Sequence, residues 1–401
     1  MTRPLDGIRV IEIASWMAAP SACAILADLG ADVVKVEPLG GDPMRDKNRQ
    51  PKVPDRPPID EPFHVDNRGK RSLAVALDRD DGATLVRRLI GRADVLVTNL
   101  LPHRQARFGL DPDALLVDHP RLVHATLSGY GLEGPDSTRP GYDVTAFFGR
   151  GAISDSMTEP GGPPPQPRPA QGDHATGLAL VGAVLAALRM VDQTGEGQVV
   201  DVSLFGTAAW TMATDLSATL VDRRQPRPRD RHHLISALSN RFPCGDGKWV
   251  IFNMPEEHWW PRFCKAVGRD EWLDDDRLGS VKGRFDHMPM VIDGIDEALS
   301  MRSREEWGEI FDEAGLIWGP ANSLADLVED PQAEAAGLWV ELDHPEVGAL
   351  PTVANPIRIR GVDTSPRSVG PAVGQHGTEL LDELGVDAAT RERLAADGVI
   401  G

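Results

Sequence analysis

Apolar positions along the chain fall into two rhythms, short near-continuous runs and longer periodic stretches. The run GIRVIEIA (7–14) predicts a buried strand, APSACAILADLGA (19–31) a helix closed by glycine, and DVVKVEP (32–38) a second strand, which together make a βαβ unit. The pattern continues with a helix over 81–93, a strand over 94–100, the basic segment PHRQARFG (102–109) and a strand over 122–131. Strands alternating with helices imply an α/β fold with a parallel, doubly wound sheet. From 147 to 172 glycine and proline dominate and predict a loop, followed by an apolar helix over 175–190, a strand over 197–204 and a helix over 205–221.

Beyond the basic, proline-broken segment DRRQPRPRDRHH (222–233) the texture changes. NRFPCGDGKWVIFNM reads as a hairpin turning at Gly245–Gly247, with helices carrying Trp259, Trp260, Trp272 and Trp307 after it. We expect a large Rossmann-like domain over 1–222, completed by 331–401 with a helix at 374–385, and a linker plus small α+β domain over 223–330. No internal repeat or heptad pattern is visible.

Composition narrows the function. The 401 residues are 41% hydrophobic and 26% charged, with a formal charge of −19; such a mean field repels nucleic acid and anionic membranes. Three scattered cysteines, Cys23, Cys244 and Cys264, make no CxxC, and the eleven histidines include no HExxH spacing, so neither a disulfide framework nor a metal site is expected. The opening MTRPLDGIRVIEIA lacks a signal-peptide pattern, and the run 175–190 falls short of a membrane span. A cytoplasmic protein without membrane or nucleic-acid partners is expected.

Against so acidic a background, grouped basic residues are informative. Lys35 and Arg45, NRGKRS (67–72, with Arg71), and Arg104 and Arg107 gather in the first part of the chain and predict a site for a phosphorylated ligand. Asn99 ends a predicted strand where ligand crevices open. The first strand–helix turn, ASWMAAPSA, lacks the glycines of a dinucleotide fingerprint, so NAD is not expected and Glu37 reads as a strand-end residue with local hydrogen bonds. GxSxG is absent too. In AQGDHATGLALVGAVLAALRM (170–190), Asp173 admits two readings: a helix N-cap, or a nucleophile beside Gly172, which leaves room for a ligand, kept ionised by the positive end of the helix.

The chain resembles the class III CoA-transferases, the CaiB/BaiF family. The motifs are LDGIRVIEIA, ILADLGADVVKVE, GGDPMR, NRGKRS, ADVLVTNLLP, SGYGLEGPDSTRPGYD, GDHATGLALVGAVLAAL, GEGQVVDVSL, GDGKW, EDPQAEAAGLW and GQHGTELLDELG, in that order over nearly the whole length. The resemblance implies an interlocked homodimer that moves CoA from an acyl-CoA donor to a carboxylic acid acceptor. It makes Asp173 the nucleophile, through a mixed anhydride and an aspartyl-CoA thioester. It places CoA along Met17 and Ala18, near Arg45, Asn99 and Leu100, with Arg107 on its phosphates, and implies neither metal nor NAD.

The same family fold houses α-methylacyl-CoA racemases, in which a histidine and this aspartate exchange an α-proton. The histidine position is Tyr142 here, in PGYD; a phenol is a poorer proton shuttle than an imidazole at neutral pH, which favours transfer. A binding protein without turnover is the non-enzymatic alternative. The tetraglycine loop of the oxalate-using branch is missing; Trp259 and Trp260 read first as core residues, and as the alternative a partly open pair which, with VIFNM, would suit an apolar acyl group.

Overall fold

The computed structural model describes residues 2–45, 59–226 and 228–401. Residues 46–58 of the expected large domain and residue 227 of the expected linker lie outside the described residues. The chain divides into two compact units, one made of 1–156, 165–224 and 335–401, the other of 157–164 and 225–334.

The larger unit is built on six strands, β1 (Arg9–Ile13), β2 (Asp32–Glu37), β3 (Arg71–Ala74), β4 (Val95–Thr98), β5 (Val123–Ser128) and β6 (Gln198–Ser203). They pair in the order β3-β2-β1-β4-β5-β6, every pair parallel. The inner strands are runs of β-branched residues buried on both faces, as a covered parallel sheet requires. The helices are α1 (Ala18–Asp28), α2 (Glu61–Asn67), α3 (Asp80–Ile90), α4 (Pro102–Phe108), α5 (Pro112–Asp118), α6 (Ile153–Ser156), α7 (Gln171–Thr194), α8 (Leu204–Thr211) and α9 (Ala213–Asp222), with a π-helix over Asp143–Arg150.

Two apolar layers sandwich the sheet. On one face α1, α7 and the π-helix close over Val10, Val33, Val97 and Ala125; on the other, α3 and the C-terminal helices Gly377–Glu383 and Ala388–Ala396 cover Ile11, Val34 and Leu96. Small residues set the first layer's depth. Every residue of α1 is buried, and a Cβ on Gly177 of α7 would meet Ser21 Oγ and the Ala18 carbonyl, so this glycine permits the close crossing of the two helices.

Helix α7 is longer than the expected 175–190 at both ends and, by length and composition, long enough to cross a membrane. In the structure Leu180, Val181, Val184, Ala187 and Val191 of its inner face belong to the core. The expected loop from 147 to 172 begins later than its glycine content suggests, because Phe147 and Phe148 are buried in the π-helix.

The smaller unit carries an antiparallel sheet of β7 (Arg241–Pro243), β8 (Trp249–Phe252) and β9 (Trp318–Pro320). Phe242, Phe252, Phe263 and Phe311 fill its core. Trp260 lies there too, only 4% exposed and stacked on Trp272 at 5.6 Å, which is the core reading of this tryptophan rather than the partly open pair.

Candidate active site

At the carboxyl end of the sheet the loops after β1, β4 and β5 meet the first turn of α7 around a cavity of about 350 Å3, the crevice where open α/β sheets bind ligands. Asp173, Tyr142, Asn99, Leu100 and Ala18 line it, joined by Trp16. Met17, between Trp16 and Ala18, caps α1 and is not among the lining residues.

Asp173 is not the helix cap. Ala170, at φ 79°, holds that place, and Asp173 sits in the first turn. Gly172 is required for a different reason from the one its sequence position suggested: a Cβ there would collide with the Asp143 carboxylate and the Phe147 ring. Asp143, 4% exposed, thus lies under the helix start, facing the backbone of Ala170, Gly172 and Asp173, its carboxylate oxygens accepting no hydrogen bond of normal geometry. Two carboxylates are thereby held close together.

The electrostatic consequence reverses an expectation. Burial, and then the charge of Asp143, push the Asp173 carboxyl up to about 7, while His174 pulls it down and Asp66 adds a small upward push. Burial and like charge outweigh the positive end of the helix. His174 itself is fastened through Nε2 to the fully buried Asp66 at 3.0 Å, which raises its pKa.

Asn99 uses its whole amide on the backbone of Ser15, so it shapes the turn that carries Trp16. Tyr142 stands 56% exposed before the π-helix, its backbone tied at both N–H and carbonyl to the Thr145 hydroxyl at 3.1 Å.

The basic clusters separate into two kinds. Lys35 and Lys70 are buried beside Glu12 at 2.7 and 2.6 Å, and Lys35 also meets Asp42 at 2.7 Å; burial alone would lower the Lys35 ammonium, yet the two carboxylates raise it. Arg45 is bound by Glu37 through two nitrogens, at 2.8 and 2.6 Å, and lines another cavity. Glu37, which also accepts from Ser72 Oγ at 2.5 Å, thus makes the local bonds expected of it. Arg71 begins β3 and pairs with Asp32, Glu379 and Glu383 at 2.6 to 2.8 Å, at the amino end of the sheet, away from Asp173. Arg104 and Arg107 of α4 are exposed, form no ion pair among the described residues, and rest against Phe108; Arg104 lines the cavity. The NRGKRS cations therefore hold the fold together, and the α4 arginines are the pair left open to an anion.

The family model for CoA-transferase family III matches residues 5–377. The chain belongs to CoA-transferase family III. It is 32% identical to the (R)-2-hydroxy-4-methylpentanoate CoA-transferase of Clostridioides difficile, over 96% of each chain. It is 32% identical to the succinate–glutarate CoA-transferase of Agrobacterium fabrum, over 95% of this chain and 96% of that one. Among solved structures, a CaiB/BaiF family protein from Brucella suis superposes with a TM-score of 0.84 at 31% identity, covering 96% of this chain and all of that one. The family is one of transferases, and its fold is the α/β arrangement described above. Trp16, Asp143, Asp66 and His174 were not singled out from sequence; Asp143 and His174 lie inside motifs already quoted, and Asp66 and Trp16 within two residues of one.

Proposed function

We propose that the protein transfers CoA from an acyl-CoA thioester to a carboxylic acid, with Asp173 as the nucleophile. The observation that carries this reading is the Asp173 carboxyl at the wall of the crevice, with a pKa near neutrality, so that an ionised oxygen is available there at physiological pH. That oxygen attacks the acyl carbonyl, the C–S bond breaks, and CoA thiolate leaves a mixed anhydride. The thiolate then attacks the aspartyl carbonyl, releasing the donor acid and forming an aspartyl-CoA thioester. The acceptor carboxylate attacks this thioester, forming a second anhydride and freeing thiolate; attack of the thiolate on the acceptor carbonyl yields the new acyl-CoA and restores Asp173. Thioester energy is thus conserved between two acids without hydrolysis.

CoA in this reading runs from Ala18, Asn99 and Leu100 to the open arginines of α4, with Arg107 and Arg104 on its phosphates. Transfer is favoured over racemisation because Tyr142 faces the cavity with Asp173, whereas the adjacent imidazole, His174, is committed to Asp66 and is absent from the lining. We also infer a homodimer. Helix α9 buries none of its residues, and Trp210, Leu220 and Val221 are 79%, 63% and 87% exposed, an apolar surface suited to a second copy. A cytoplasmic location fits the three free, buried cysteines.

The test is intact mass after incubation with a panel of acyl-CoA thioesters. A CoA-sized, hydroxylamine-labile adduct on wild type, missing in Asp173→Ala, is expected. No adduct, with deuterium uptake at the α-carbon of a 2-methylacyl-CoA, would identify a racemase.

A further inference from the structure

Trp16 has φ 70°, a left-handed conformation that bulky side chains rarely adopt and that persists where the surroundings over-determine it. Here they do. Its N–H donates to Asp42 Oδ1 at 3.2 Å, the other Asp42 oxygen is anchored by Lys35, and Ser15 before it is clasped by Asn99. What this strained turn accomplishes is to set the indole in the wall of the Asp173 cavity. The ring meets Tyr142 edge to face, with centroids 5.6 Å apart and planes at 87°.

The remaining wall is largely apolar, with Leu100, Leu101, Leu127 and Leu132. Of its polar side chains, Asn99 is engaged on Ser15 and Ser128 Oγ accepts from the Gly131 N–H at 2.9 Å, and the Ser15 hydroxyl is neutral. Arg104, the cation among the lining residues, belongs to the CoA phosphates in the reading above. A second carboxylate on the acyl group would find no cation besides Arg104 among the described lining residues, while a flat ring would find two perpendicular aromatic rings.

We propose that Trp16 and Tyr142 form an aromatic clamp that makes aryl-substituted carboxylic acids the preferred acids of this enzyme over short dicarboxylic acids. Trp16 is then a specificity-determining residue, and the proposal rests on the transferase reading with Asp173.

The experiment compares kcat/KM for 3-phenylpropanoate and succinate as acceptors from a common butyryl-CoA donor, in wild type, Trp16→Gly and Tyr142→Ala. Glycine adopts φ 70° without strain, so Trp16→Gly removes the ring and keeps the turn. Wild type is expected to prefer the aryl acid, and each variant to lower the aryl-to-succinate ratio by about tenfold, chiefly through KM of the aryl acid. Equal or inverted preference in wild type, or equal loss for both acids in the variants, overturns the clamp. A CoA adduct on Asp173 without aryl preference overturns the clamp alone; no adduct and no exchange with either acid from any thioester of the panel overturns the transferase reading with it. Thermal melting identifies a variant that does not fold, and the wild-type ratio then decides the matter.

Discussion

Asn99 grips Ser15 from both sides of its amide: Nδ2 donates to the Ser15 carbonyl at 2.7 Å and Oδ1 accepts from the Ser15 N–H at 3.2 Å. The end of β4 thereby fixes the turn after β1, and through that turn the strained Trp16. Asn99→Ala removes both bonds at a part-buried position, which costs about 1–3 kcal/mol. The expected outcome is a lower Tm together with a raised KM for the acyl-CoA, measured by thermal denaturation and steady-state exchange. A loss of stability with KM unchanged would separate the clasp from the site.

Activity should rise with pH through about 7, because the nucleophile must be ionised and burial with Asp143 holds its carboxyl at about 7. Asp143→Asn removes the neighbouring negative charge. The rising limb of the kcat/KM profile should then move to lower pH, and an unmoved or raised limb would show that Asp143 does not face Asp173 as a charge.

Asp173→Asn should lower exchange by on the order of a thousandfold or more and raise stability at the same time. The folded carboxyl titrates near 7 against an ordinary 3.8, so folding favours its protonated form. The contribution is fully present below about 3.8 and is lost as pH rises through 7, above which the native state bears the whole penalty of a buried carboxylate. The Tm gain of the variant should therefore grow from about pH 5 to about pH 8, as read by melting curves across that range.

Gly172→Ala places a methyl against the Asp143 carboxylate and the Phe147 ring. Overpacking of this kind costs about 1–3 kcal/mol, and here it displaces the first turn of α7. Both Tm and kcat should fall; a lower Tm with normal kcat would show that the turn moves without carrying Asp173 along.

The two classes of arginine should separate in kinetics. Arg107→Ala or Arg104→Ala is expected to raise KM for acyl-CoA about tenfold or more, since a charge-assisted bond to phosphate is worth roughly 1.5–3 kcal/mol, with little change in Tm. Arg71→Ala should lower Tm and leave KM alone, because its partners Asp32, Glu379 and Glu383 tie β3 to β2 and the C-terminal helix.

What the chain determined by itself is local and repetitive. Buried β-branched runs separated by amphipathic helices specify the alternating parallel architecture, and GDHATG marks Asp173 as the acid to examine, because periodicity and motif are properties of neighbouring residues. Tertiary structure alone decided what each charged or aromatic group meets. Lys35, Lys70 and Arg71 read as free cations in sequence and proved to be partners of Glu12, Asp42 and Asp32. Trp260 took its place in the core, and Trp16, in a turn noted from sequence only for its missing glycines, came to meet Tyr142 edge to face in the cavity wall. The pKa of Asp173 belongs to the same class, for it depends on Asp143, thirty residues away along the chain yet held under the same helix turn. Burial and charge pairing arise between segments that only the fold brings together.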